Sequence, residues 1–247
     1  MHRVLNGTVE GSSETSHARR AASTGLTRGV AGALASGIVF GIFQFAGAIV
    51  FASYILPRLA PMDAPAAEQA AAYVAHANLL RLGNYAVILP APFFLFFLAG
   101  LYAVLRRPEG ERGVLASTAA FSGVAMSMIW AISAVVSDIA IDIALGKGDA
   151  VTISALNAFP PYMLALSALP RAVLLAATAC VVLQGRDGSR WLGWSGIGIA
   201  VLSLAGSATL ANALMFPVLA LSTLLFDLWL AVLCSVWLRE ETMSWRS

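Results

Sequence analysis

Five side chains stand where polarity is hard to keep. Gln44, Arg171 and Asp227 each lie inside a long apolar run, and Asp138 and Asp142 close another. A charge at bilayer depth costs about 2.5–3.5 kcal/mol on insertion scales. Such groups pair, line a wet pathway or relay protons. An arginine and an acid on different apolar segments therefore raise two readings. One is a buried ion pair that fixes how helices register. The other is a site for an ion, a proton or a small molecule. Asp138 and Asp142 are four residues apart and share a helix face. They read either as a solvated helix end or as an outer acidic site for a hard cation.

Other chemistry is missing. The three histidines, His2, His17 and His76, lie outside every apolar run, so no bis-histidine haem site is expected there. No HExxH, CxxC, P-loop or GxSxG occurs. Serines are plentiful, but no intramembrane His or Lys stands ready to activate one. No metal site and no cofactor are expected, and the sequence points away from an enzyme. Cys180 and Cys234 each sit in an apolar segment and read as small buried hydrophobes.

The elements that hold these residues follow from composition. Of 247 residues, 59% are hydrophobic and 11% are charged, with a mean hydropathy of +0.81. A soluble chain of this length could not hide so much apolar surface, so the bilayer is the expected partner. A formal charge of +2 carries no nucleic-acid footprint. The fold class is all-α, a polytopic bundle of six transmembrane helices over residues 29–239. Runs of spanning length cover 29–56, 84–105, 113–138, 161–184, 191–212 and 216–238. The break between the last two, near Asn212 to Pro217, carries no charge. Residues 1–28, rich in Ser, Thr, Gly and Arg, read as a disordered tail, and residues 240–247 as a second tail. A cleaved signal peptide is disfavoured, because the first apolar run far exceeds a signal core of roughly 7–15 residues.

Basic residues set the direction. With the N-terminus inside, the inner segments hold eleven arginines: Arg3, Arg19, Arg20, Arg28, Arg106, Arg107, Arg112, Arg186, Arg190, Arg239 and Arg246. The outer segments hold three cations, Arg58, Arg81 and Lys147. The positive-inside rule then puts both termini in the cytoplasm of a cell with an inner (plasma) membrane. A short outer helix is expected over 63–82, starting near Asp63 and Pro65 with an early Glu68 and ending at Gly83-Asn84. A second is expected over 150–159, ended by Pro160-Pro161.

Rise per residue selects a partner for Arg171. At about 1.5 Å per residue, Arg171 lies about 20 Å above the inner boundary and Asp227 about 16 Å. On the same rise Gln44 lies at about 22 Å and Asp138 at about 37 Å. An Arg171–Asp227 pair with Gln44 at the same level is therefore expected, and Ser127, Ser203 and Ser207 fall nearby. Pro170 lacks an N–H, which frees the carbonyl of Leu166. Arg171 is expected to lean toward it. Pro90 and Pro92 should kink the second span. Small residues form stripes for close helix contact: Gly29, Ala33, Gly37 and Gly41 in span one, Ala119, Gly123, Ser127 and Ala131 in span three. Gly37 and Gly41 make a GxxxG match, used either within the chain or for self-association with a membrane partner.

Three pieces carry a resemblance: the outer segment Ala66-Ala-Glu-Gln-Ala-Ala-Ala-Tyr-Val-Ala-His-Ala-Asn-Leu-Leu-Arg-Leu-Gly83, the start Arg190-Trp-Leu-Gly193 and the tail Phe226-Asp-Leu-Trp-Leu-Ala-Val232. From about Gly29 onward the chain resembles a bacterial family of six-span membrane proteins, domain of unknown function 4386. The resemblance implies an acid near the start of the last span, a place Asp227 takes with Asp where Glu is usual. It also implies a basic residue in span four, matched by Arg171. It supplies topology and no substrate. Two functions follow from the residues: a polar layer that binds or passes a small molecule or ion, or a structural, partner-binding membrane subunit.

Overall fold

The computed structural model of the chain describes residues 10–110, 112–184 and 190–244, with side chains described over 28–110, 112–184 and 190–240. Those residues are mostly helical, with no strand among them. Seven α-helices run in order: α1 (Glu10–Val50), α2 (Ala66–Ile88), α3 (Ala91–Glu109), α4 (Val114–Leu145), α5 (Ala150–Gln184), α6 (Arg190–Ser207) and α7 (Phe216–Ser244). Six helical stretches are long and apolar enough to cross a membrane. The chain is a multi-pass membrane helix bundle.

The spans form a ring in chain order. α1 packs on α3, α3 on α4, α4 on α5, α5 on α6, α6 on α7, and α7 closes back on α1. Close approach at glycines makes the ring tight. A Cβ on Gly41 would stand 2.7 Å from the backbone carbonyl oxygen of Asp227. Gly37 faces Cys234 and Phe97, Gly100 faces Ala33, and Gly206 meets the backbone of Leu219. Gly37 and Gly41 are buried inside the chain. Gly37 and Gly41 thus pack within the chain, against α3 and α7.

α5 is the central element, with 61% of its apolar window buried against 28–44% for the other spans. The core beneath it combines Phe94, Phe97 and Leu101 of α3 with Leu174 and Leu175 of α5 and Phe226, Leu230 and Leu233 of α7. Positions three and four apart face inward, while Phe93, Leu95 and Phe96 stay exposed toward lipid. Phe40, Phe94 and Trp130 stack together, with centroid separations of 4.5–6.4 Å.

The antiparallel order gathers Arg28, Arg106, Arg107, Arg112, Arg190 and Arg239 at one end, here the arginine-rich end. Arg58, Arg81 and Lys147 lie at the opposite, cap end. α4 and α5 have 32 and 35 residues, or about 48 and 52 Å at helical rise. Both outrun a hydrocarbon core of about 30 Å. Their excess at the cap end joins α2 in a second apolar cluster of Ile55, Tyr73, Ala77, Leu80, Ile141 and Ile153.

Several boundaries differ from expectation. α2 starts at Ala66 rather than 63 and continues through Gly83 and Asn84 to Ile88. Gly83 is a packing residue, its missing Cβ filled by Ile55. The break falls at Leu89-Pro90, where the proline removes the donor. The stretch 150–159 is no separate helix, for α5 runs unbroken through Pro160, Pro161 and Pro170. Packing on α4 and α2 holds α5 together across the freed carbonyls. α1 begins at Glu10, so residues 10–28 are helical where a disordered tail was expected; the Ala-rich 18–22 stretch favours helix that a long span can propagate. α7 likewise continues past 239 to Ser244. The expected loop at 185–188 lies outside the described residues. At Asn212 the expected break holds: its side chain accepts from Leu214 N at 3.0 Å and starts a short 3-10 turn before α7.

Asp149 closes the cap end of α5. Its carboxylate accepts from the Thr152 backbone N–H at 2.9 Å and the Thr152 hydroxyl at 3.0 Å. Those bonds favour the ionised form and hold the carboxyl below the ordinary range. A depressed value contributes stability above the ordinary carboxylate range and loses it as pH falls through the depressed value. Amide protection over 150–153 is therefore expected to fall in that acid window in hydrogen exchange, and Asp149→Ala to remove the acid-dependent step.

Candidate functional site

Arg171 is the largest fully buried side chain, at 0% exposure. It projects from α5 into three hydroxyls on two other helices. Its Nε donates to Ser203 Oγ of α6 at 3.2 Å. Nη1 donates to Thr223 Oγ1 at 2.6 Å and Nη2 to Ser222 Oγ at 2.8 Å, both on α7. Ser222 and Thr223 in turn donate to the Leu219 carbonyl, at 2.8 and 2.9 Å. Their protons are thus committed downward, and their lone pairs are left aimed at the guanidinium. The cradle is oriented before the cation enters it. The Phe226 ring adds a face 6.0 Å from the guanidinium carbon.

Asp227 sits one helical turn beyond Thr223, fully buried. Neither carboxylate oxygen has a hydrogen-bond partner. Arg171 is near enough to act on it electrostatically, yet the pair is outside ion-pair distance. Arg81 and Asp142, at the cap end, do form an ion pair. Height counting thus placed Arg171 and Asp227 in one layer, but the expected direct pair is not formed. The hydroxyls of Ser203, Ser222 and Thr223 hold the guanidinium instead. The same bonds take Arg171 away from the Leu166 carbonyl.

Gln44 is half-buried and bonds to neither Arg171 nor Asp227 among the described residues. Ser127 and Ser207 bond their own helices, at Gly123 and Leu204. Ser167, one turn from Arg171, accepts from Trp130 Nε1 at 3.0 Å. Thr178 shares the α5 face of Arg171, two turns on, and its buried hydroxyl also lacks a partner. Sequence reasoning missed Ser222, Thr223 and Thr178. The i, i+4 relation of Thr223 to Asp227 was the available signal. A hollow of about 10 Å³ lies between Phe40, Val87, Ser127 and Trp130, room for about one water. Arg171 and Asp227 do not line it.

Each cap-end acid has its own partner on α2. Asp138 accepts from Asn84 Nδ2 at 2.8 Å, and Asp142 pairs with Arg81. The two partners are three residues apart on α2, so each acid is spent on docking that helix to α4. No group of three or more His, Cys, Asp or Glu that could hold a metal occurs among the described residues. A neutral chain continues the docking. Tyr73 donates to Asn157 Oδ1 at 2.8 Å and Asn157 Nδ2 donates to Gln69 Oε1 at 2.9 Å. Gln69 Nε2 holds the carbonyls of Met62 and Ala64 at 3.0 and 2.9 Å. Asn157→Ala strips two partners from this part-buried chain, at about 1–3 kcal/mol for each group left unsatisfied. Faster proteolysis within 59–65 is the expected readout.

No family model, no curated protein and no solved structure matches this chain.

Proposed function

We propose that this chain is a multi-pass protein of the inner (plasma) membrane, with both termini cytoplasmic, whose Arg171–Asp227 layer binds or passes a small molecule or ion. The arginine-rich end supports the orientation through the positive-inside rule. The likeness of the sequence to the domain of unknown function 4386 family is part of this reading.

One observation carries the functional part. A fully buried carboxylate has two idle oxygens beside a guanidinium whose three nitrogens each donate to a hydroxyl instead. A group that only fixed register would be expected to spend its oxygens on the cation. The second reading, a structural or partner-binding subunit, draws on the fully buried layer and on glycines consumed within the ring.

Cysteine accessibility separates the two. In a background with Cys180→Ala and Cys234→Ala, Gln44→Cys, Ser203→Cys and Thr223→Cys are each exposed to a membrane-impermeant thiol reagent. The pathway reading predicts labelling at Gln44→Cys and at one or both layer positions. Protection of all three, with normal labelling of a cap-end control at Ala150→Cys, would leave the structural reading standing.

A further inference from the structure

The geometry points to Asp227 as a proton-binding site, with Arg171 as the positioning residue that answers its charge. This rests on the polar-layer reading and names the ion.

Asp227 is wholly enclosed, and the hollow nearest the aromatic cluster does not open onto it. Both Asp227 oxygens are enclosed, and a second cation would meet the Arg171 guanidinium. A proton adds no volume. A bare carboxylate with both oxygens idle carries an unmet desolvation cost, which a carboxylic acid largely avoids.

The hydroxyl cradle supplies the independent half. Ser203, Ser222 and Thr223 engage all three guanidinium nitrogens without any help from the carboxylate. They give the permanently charged guanidinium a place to rest when the acid is neutral. Two arrangements follow. With Asp227 ionised, Arg171 turns from Thr223 toward the carboxylate one helical turn away, and the layer is neutral. With Asp227 protonated, Arg171 lies in the cradle as seen here, and the layer carries one positive charge. The proton comes from hydronium reaching the layer: one O–H bond forms on a carboxylate oxygen, water is left behind, and Arg171 keeps its own protons.

The surroundings leave few rivals. α5 brings Arg171, with Tyr162 and Cys180 each more than two turns from it. α1 brings no titratable side chain after Arg28, with Tyr54 and Arg58 in the short turns that follow it. α6 brings none between Arg190 and Ser207, and α7 itself adds Cys234 two turns away and Arg239 and Glu240 more than three turns away.

Infrared difference spectroscopy of the full chain in lipid nanodiscs tests this, with aspartate carboxyls carbon-13 labelled. A protonated-carboxyl C=O band that titrates with pH and shows the isotope shift is expected. It should be lost in Asp227→Asn. In Asp227→Glu the band should persist without the isotope shift, which keeps the test valid should Asp227→Asn fail to assemble. A band missing throughout the pH range of the folded protein, one that never titrates, or one that keeps its isotope shift in Asp227→Glu would overturn the assignment. Layer cysteines that label while Asp227 does not titrate would reject the proton and leave the pathway reading intact.

Discussion

Ser222→Ala combined with Thr223→Val is expected to destabilise the bundle by about 3–6 kcal/mol, since each hydrogen bond to a charged group contributes roughly 1.5–3 kcal/mol. Two of the three bonds that hold Arg171 are lost, and the guanidinium stays fully buried. Removing the cation should reverse the damage. Arg171→Met in the double-mutant background is expected to recover most of the stability, because a buried charge replaced by a similar apolar volume is often neutral or stabilising. Thermal unfolding in detergent, with monodisperse yield as the second readout, measures both. If Asp227 alone held Arg171, the hydroxyl changes would cost little and the rescue would be absent.

The second large effect is steric. Gly41→Val is expected to cost about 1–3 kcal/mol or more through overpacking. Its first added atom meets the Asp227 carbonyl oxygen at 2.7 Å and Ala231 Cβ at 3.1 Å. Backbone cannot step aside as a side-chain tip can, so α1 and α7 must separate. The change also moves the helix that carries Asp227, Ser222 and Thr223, and should perturb the layer without touching a polar group. Gly47→Val is the control. Nothing stands within 4 Å of that position, so near-normal stability is expected. Equal loss at both glycines would show that the α1–α7 contact is not the cause.

Much of the architecture was readable because lipid leaves the chain few choices. Spanning length, apolar composition and turn-rich breaks located the helices, and the antiparallel order gathered the arginines at one end. Local breakers misled. Gly83 marks a packing contact with Ile55 rather than a helix end, and Pro160-Pro161 lies within a continuous helix held by its neighbours. Helix rise alone placed Arg171 and Asp227 at one depth. It could not show how they meet, because that depends on rotation about each axis. α7 turns Ser222 and Thr223 toward the guanidinium and leaves the Asp227 oxygens free. Asp138 and Asp142 share a face as their spacing required, but α2 supplies each with its own partner, and that partner chemistry comes from a helix over 50 residues away in sequence.

The central claim is that the Arg171–Asp227 layer is reached by water and works, rather than serving only as dry helix register. Water-edited solid-state NMR on the full chain in lipid, with labelled arginine and aspartate side chains, addresses it most directly. Polarisation is expected to pass from water to the Arg171 guanidinium and the Asp227 carboxyl, more slowly than to exposed Arg81 and Asp149. Transfer to Arg81 and Asp149 with none to Arg171 or Asp227 at any pH would contradict the account.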